Sequence, residues 1–289
     1  RVTALRALAE FIMRGRMQAC LTALLGSFFP FVSPATIGLV TLTKGSAEGA
    51  LVALWALLPL IVGYFISGAT PFLTIVSGLA LVNMVVVANL LRQTVTWSVT
   101  LSGAVIAGGV FAGVSGVLFG ADLASIVLEI DTVFEKMSQQ LDQSMAVPSG
   151  AMMLAISAWM IALSTIASLF VSRWWQAILY NPGGFQQEFH GIRLESKLGL
   201  SLAVLMGAGM LLPDDYRIWV QLASIPLLIA GLALVHYGVK VKAKGRQWLV
   251  FVYLGLIFYS PIIMVLLVLV GLADSFMNLR TRLASDTHR

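Results

Sequence analysis

The side chains in this sequence that are capable of chemistry are few, and their spacing does not gather them. The three histidines, His190, His236 and His288, lie far apart and show none of the spacings of a metal site. The single cysteine, Cys20, sits in an apolar run and excludes a CxxC centre or an internal disulfide. There is no GxxxxGK[ST], no HExxH and no GxSxG. No metal, cofactor or catalytic residue is expected, and the chain reads as a non-enzyme. Ionisable groups inside apolar runs mark ion pathways, but here Glu10 and Asp274 fall near the ends of runs, and His236 closes one beside Tyr237. Ion coupling is disfavoured for that reason. What remains is neutral polar chemistry. Asn83, Asn89, Ser98, Ser102 and Gln221, with Thr165, are the candidate ligand-binding residues for a neutral or amphipathic solute. The competing reading of these residues is helix-to-helix hydrogen bonding.

A second set has the chemistry of recognition. The segment 173–197 opens on Arg173-Trp174-Trp175 and continues through the turn Asn181-Pro182-Gly183-Gly184. Phe185, Phe189 and Ile192 then share one helical face, opposite Gln186, His190 and Arg193. The segment reads either as an interfacial elbow anchored by Trp174 and Trp175 or as a docking surface. In the second case Trp174, Trp175, Phe185, Glu188, Phe189, His190 and Arg193 meet a partner, with Arg193 pairing a carboxylate or a lipid phosphate. Gly109 and Gly113, a small-xxx-small pair in the glycine-rich run Trp97–Phe119, are candidates for close packing within the bundle or between subunits.

Helices in a membrane must position these residues. The 289 residues are 59% hydrophobic and 11% charged, against about 25% charged in soluble domains. This excludes a soluble, disordered or disulfide-rich secreted module. The net charge of +5 does not point to nucleic acid, because the basic residues flank apolar runs. The fold class expected is all-α: a single integral-membrane domain over residues 1–289, a polytopic bundle of about eight to ten helices at about 20 residues per span.

The runs are Met17–Phe31, Ala50–Ile66, Pro71–Leu91, Trp97–Phe119, Ser149–Val171, Leu198–Leu212, Ile218–Tyr237 and Trp248–Met277. Pro30 and Pro34 break the first stretch into a helical hairpin over residues 17–43. Ser260-Pro261 makes the last run either one kinked helix or two short ones. With both treated as hairpins, 16 of the 18 basic residues fall on one side, and only Lys136 and Arg217 on the other. The positive-inside bias then puts the N-terminus, and with it the C-terminus, in the cytoplasm.

On the opposite side, residues 122–147 repeat apolar residues from Leu123 to Leu141 at helical spacing, with Asp122, Glu129, Glu135 and Asp142 facing away. This is an acidic amphipathic helix, a lid over an outward cavity or a connector packed on the bundle. Its charge argues against anionic headgroups as its partner.

The stretch from Asn181 to Leu194, with its Asn-Pro-Gly-Gly-Phe, Glu-Phe and Ile-Arg-Leu pieces, resembles the corresponding loop of the YybS-like family of bacterial multi-pass membrane proteins. The opening, a helix, a break at Pro34, a short helix and then Lys44-Gly45 and Gly49, resembles the S components of energy-coupling-factor transporters. The resemblance implies an inner-membrane protein that binds a small solute from outside and works with a separate coupling subunit. The chain departs from S components in having more helices and the acidic segment. The alternatives are a structural or regulatory membrane partner, including a homo-oligomer, and a lipid or polyprenyl-phosphate carrier.

Overall fold

The structure is a computed structural model that describes residues 2–68, 70–141, 146–242, 245 and 247–285. Among them are fifteen α-helices and no strand: α1 Val2–Met13, α2 Arg16–Gly26, α3 Val32–Lys44, α4 Ser46–Ser67, α5 Pro71–Thr94, α6 Trp97–Leu118, α7 Gly120–Leu141, α8 Gly150–Tyr180, α9 Gly184–Gly191, α10 Ser196–Gly209, α11 Asp214–Gln221, α12 Ser224–Val241, α13 Gln247–Phe258, α14 Ser260–Met277 and α15 Leu279–Ser285. Six of them, α4, α5, α6, α8, α12 and α14, are long and apolar enough to cross a membrane, while α10 and α13 are apolar but shorter. The all-α polytopic bundle expected from composition is the fold observed.

The proline break acts as its chemistry requires. Helix α2 ends at Gly26, the chain turns through Phe31 in a left-handed conformation (φ 65°), and α3 runs back. Arg16, at the start of α2, forms an ion pair with Glu48, in the first turn of α4. Both ends of the hairpin therefore lie at one end of the bundle. At about 1.5 Å per residue, neither arm is long enough to span. The tip borders a depression whose other wall includes Ala56 and Leu60, about halfway along α4. A half-depth hairpin survives in a membrane only when protein surrounds it, and α3 is enclosed. Its residues from Ala35 to Leu42 are all buried, and Met84 and Ser172 fill the space that a side chain at Gly38 would take. Ser172 Oγ donates to the Ala35 carbonyl (3.0 Å), tying α8 to α3.

The final run is also two helices. The chain breaks at Tyr259, ahead of Pro261, and Gly255 of α13 lies against Ile263 of α14, so the pair folds back on itself. Asp274 of α14 thereby reaches Arg193 and Arg280. Arg16, Lys44, Arg92, Arg173, Arg193 and Arg280 all gather at one end of the bundle, and Arg217 stands at the other beside Asp214. Arg1, Lys244, Arg246 and Arg289 lie outside the described residues, as does His288.

Two boundaries differ from the sequence runs. Helix α8 continues past Val171 to Tyr180, which makes Trp174 and Trp175 part of a 31-residue helix and buries Trp175 in the core (3% exposed). The run Ile218–Tyr237 is divided at Leu222 and Ala223. Indole hydrogen bonds from Trp219 to Ala151 O and from Trp159 to Ile218 O hold α11 across the end of α8. The acidic helix α7 is described from Gly120 to Leu141; Asp142 and Gln143 lie outside the described residues. It docks by Leu123 and Ile126 against Phe72, Met153 and Leu154.

Candidate functional site

Two depressions flank the α2–α3 hairpin, one at its ends and one at its tip. The first is a crevice at the basic end. The bidentate pair of Arg173 with Glu188 divides it into two lobes of about 480 and 440 Å³. The outer lobe holds Lys44, Gln176 and Asn181. The inner lobe holds Arg92, Arg193, Thr96 and Ser98, three arginines (with Arg173) to one carboxylate. Leu42, the last buried residue of α3, forms part of both walls.

Helix α9 is the other wall, and the turn at Gly183 (φ 88°) aims it. A side chain would be strained at that angle. The aromatic face packs inward: Phe185 and Phe189 meet Phe170 with ring centroids 6.0 and 5.4 Å away, and Phe170 meets Trp97 at 5.1 Å. The end of α9 is tied to α14 and α15. Arg280 donates to His190 O (2.9 Å) and Ile192 O (2.5 Å) and pairs with Asp274, which is fully buried. Arg193 donates through Nε and Nη2 to the Asp274 and Ser275 carbonyls (2.9 Å each), neutralising the C-terminus of α14. Burial, then the positive groups Lys240, His236 and Arg280, hold the His190 imidazole below its ordinary pKa.

The second depression, about 410 Å³, lies at the hairpin tip on the far side from the basic residues. Phe28, Phe29, Phe31, Ala56, Leu60 and Leu81 make it apolar, and Ser27, Ser33 and Ser77 complete the wall. Ser33, in the first turn of α3, is 2% exposed, and its Oγ has no hydrogen-bond partner among the described residues.

The candidate residues from the sequence are scattered between these places. Asn83 is buried between α5 and α8, where its amide donates to Thr165 Oγ1 (3.1 Å). Asn89 lies on α5 and is half-buried; Ser102 is enclosed on α6. Gln221 lines a separate, largely apolar pocket of about 450 Å³ between α10, α11 and α14. Ser98, Glu188 and Arg193 do meet, in the inner lobe of the basic crevice. Of the recognition set, Trp175, Phe185, Glu188, Phe189, His190 and Arg193 make their contacts within the chain, whereas Trp174 is exposed. Gly109 faces Trp219, and the space beside Gly113 is open. The tightest helix crossing is elsewhere: at Gly231 and Gly271 the backbones of α12 and α14 leave no room for a methyl group.

Sequence reasoning did not find Ser33, Arg92, Thr96 or Trp97. The Pro30–Pro34 break pointed at Ser33, and the Arg-x-x-x-Thr-Trp junction between two apolar runs pointed at the others. In comparisons with known proteins, no family model, no curated protein and no solved structure matches the chain.

Proposed function

We propose that the chain is a non-enzymatic, solute-binding component of a membrane transport system, a member of the YybS-like family that its Asn181–Leu194 stretch resembles. In this reading it sits in a bacterial inner membrane with the basic end in the cytoplasm, as the positive-inside bias favours. The observation that carries the reading is the pocket at the tip of the half-depth hairpin. A buried hydroxyl without a partner costs free energy, and Ser33, whose enclosed hydroxyl has none among the described residues, is part of the wall of a space large enough for a small solute. The pocket's walls suit a neutral solute with an apolar body, and the hairpin beneath it separates it from the basic crevice.

Thiol labelling tests this. Cys20 is buried, so Cys20→Ala with Ser77→Cys leaves one reporter in the pocket. In oriented vesicles, a membrane-impermeant maleimide should label it only from the face opposite the basic residues. Transported solutes should protect it. Labelling from the basic face, or no labelling in folded protein, overturns the reading.

A second reading, a structural membrane partner or homo-oligomer, has one observation in its favour. The notch at Gly113 is unfilled, and Ile106, Val110, Val114 and Val117 are exposed on the same helix.

A further inference from the structure

The inner lobe of the basic crevice has a composition that the solute pocket lacks. It contains the N-terminus of α6, a helix of 22 residues. Thr96 is the N-cap, but its hydroxyl is turned away: Oγ1 donates to the Thr94 carbonyl (2.8 Å) and does not cap the helix. The N–H groups of residues 97–99 therefore have neither an intrahelical acceptor nor a side-chain cap. Next to them is Ser98, 6% exposed, whose hydroxyl makes no hydrogen bond among the described residues and which lines the same lobe. The residue is buried but its oxygen is not fully enclosed, so the hydroxyl is free to bond a group held in the lobe.

The charges around this point are unbalanced in one direction. Arg173 is satisfied by Glu188 and Gln176. Arg193 uses Nε and Nη2 on α14 and has no hydrogen bond at Nη1 among the described residues. Arg92 forms no ion pair or hydrogen bond among the described residues; its guanidinium lies over Gly45, at the junction of α3 and α4. The lobe thus combines a free helix N-terminus, a serine hydroxyl and two guanidinium groups with unused donors. Each of these prefers a negatively charged, multi-oxygen acceptor. Its remaining wall is apolar: Leu91, Val95 and Trp97. Val95 adopts a left-handed conformation (φ 51°) at the rim. A β-branched residue is strained there.

We infer that this lobe is a binding site for a phosphate group carried by a ligand with an apolar portion. The phosphate is held by the first-turn N–H groups of α6, Ser98 Oγ, Arg92 and Arg193. The site is distinct from the solute pocket at the hairpin tip and does not depend on it. A phospholipid headgroup and a soluble phosphate ester present the same chemistry.

The test uses the full chain purified in neutral detergent. One arm titrates inorganic phosphate and glycerol phosphate. The other adds mixed micelles of the same neutral detergent with phosphatidic acid, against the detergent alone. Both read thermal stability and ligand retention by native mass spectrometry. Saturable binding in the first arm identifies a soluble phosphate source, and binding confined to the second identifies a headgroup. Arg92→Gln should weaken the bound form about tenfold, the scale of one charge-assisted hydrogen bond. Ser98→Ala should weaken it by a smaller factor, and Arg14→Gln, a basic residue at the same end outside the lobe, should leave it unchanged. Arg92 and Arg14 are both exposed, so both variants fold. Equal losses in Arg92→Gln and Arg14→Gln, or no saturable binding in either arm, overturn the proposal.

Discussion

Helices α7 and α9 look alike in sequence, each an amphipathic segment between apolar runs, yet the fold uses them in opposite ways. Helix α9 has eight residues and is held at three places: aromatic rings against α8, Glu188 on Arg173, and the carbonyls at its end on Arg280. Helix α7 has 22 residues and buries only Leu123 and Ile126. Leu128, Val133, Met137 and Leu141 are exposed, and none of Asp122, Glu129, Asp131 and Glu135 forms an ion pair among the described residues. An amphipathic pattern says which face is apolar. Whether that face is docked along its length depends on partners elsewhere in the chain: Arg173 and Arg280 hold α9 at Glu188 and at its end, whereas Phe72, Met153 and Leu154 meet α7 only in its first half.

The largest effect should come from removing one of those partners. Arg280→Gln leaves the carboxylate of Asp274, which is fully buried, with the Leu279 amide and a distant Arg193 (4.0 Å). An unpaired buried charge costs about 3 kcal/mol. We expect a loss of that size in denaturant titrations in detergent, together with new protease cleavage between residues 181 and 195. A variant as stable as the parent would show that the arginine clamp does not hold α9.

Acid should loosen the same place, by less. His190 is pushed below the usual imidazole value of about 6.5. Above that value both the folded and unfolded chains are neutral here, and nothing changes. As the pH falls below it, the unfolded chain takes up a proton that the folded chain refuses, so stability declines until the lowered folded value is passed. Between about pH 7.5 and 5.5, above most carboxylate titrations, His190→Gln should show a flatter melting-temperature profile than the parent. Parallel profiles would remove His190 from the account.

These partners explain what could be read from the sequence. Breakers act locally, so Pro30 and Pro34 disclosed the first hairpin, while Ser260-Pro261 left the last run open between one kinked helix and two short ones; treating both as hairpins placed most basic residues at one end. Helix crossings are not local. The glycine-rich α6 drew attention to Gly109 and Gly113, but the backbones of α12 and α14 come closest, at Gly231 and Gly271, each with no glycine partner four residues away in its own helix. The site behaved similarly. Ser98, Glu188 and Arg193 were each legible as polar residues, but their meeting depends on three chain segments arriving at one crevice, and Arg92 and the uncapped end of α6 become visible only there.

The smallest effect tests the other half of the contrast. Val133 and Met137 are 52% and 39% exposed on α7, and losing exposed methyl groups changes stability by less than about 0.5 kcal/mol. Val133→Ser with Met137→Ser should leave the denaturant midpoint of the detergent-purified chain in place. Amides of residues 128–141 should exchange with solvent faster than those of α9, because few buried contacts oppose local opening. A loss approaching that of Arg280→Gln would mean that this apolar face is covered in the working protein. The two helices would then differ in what they dock against, one on the bundle and one on something outside it, and no longer in whether they dock.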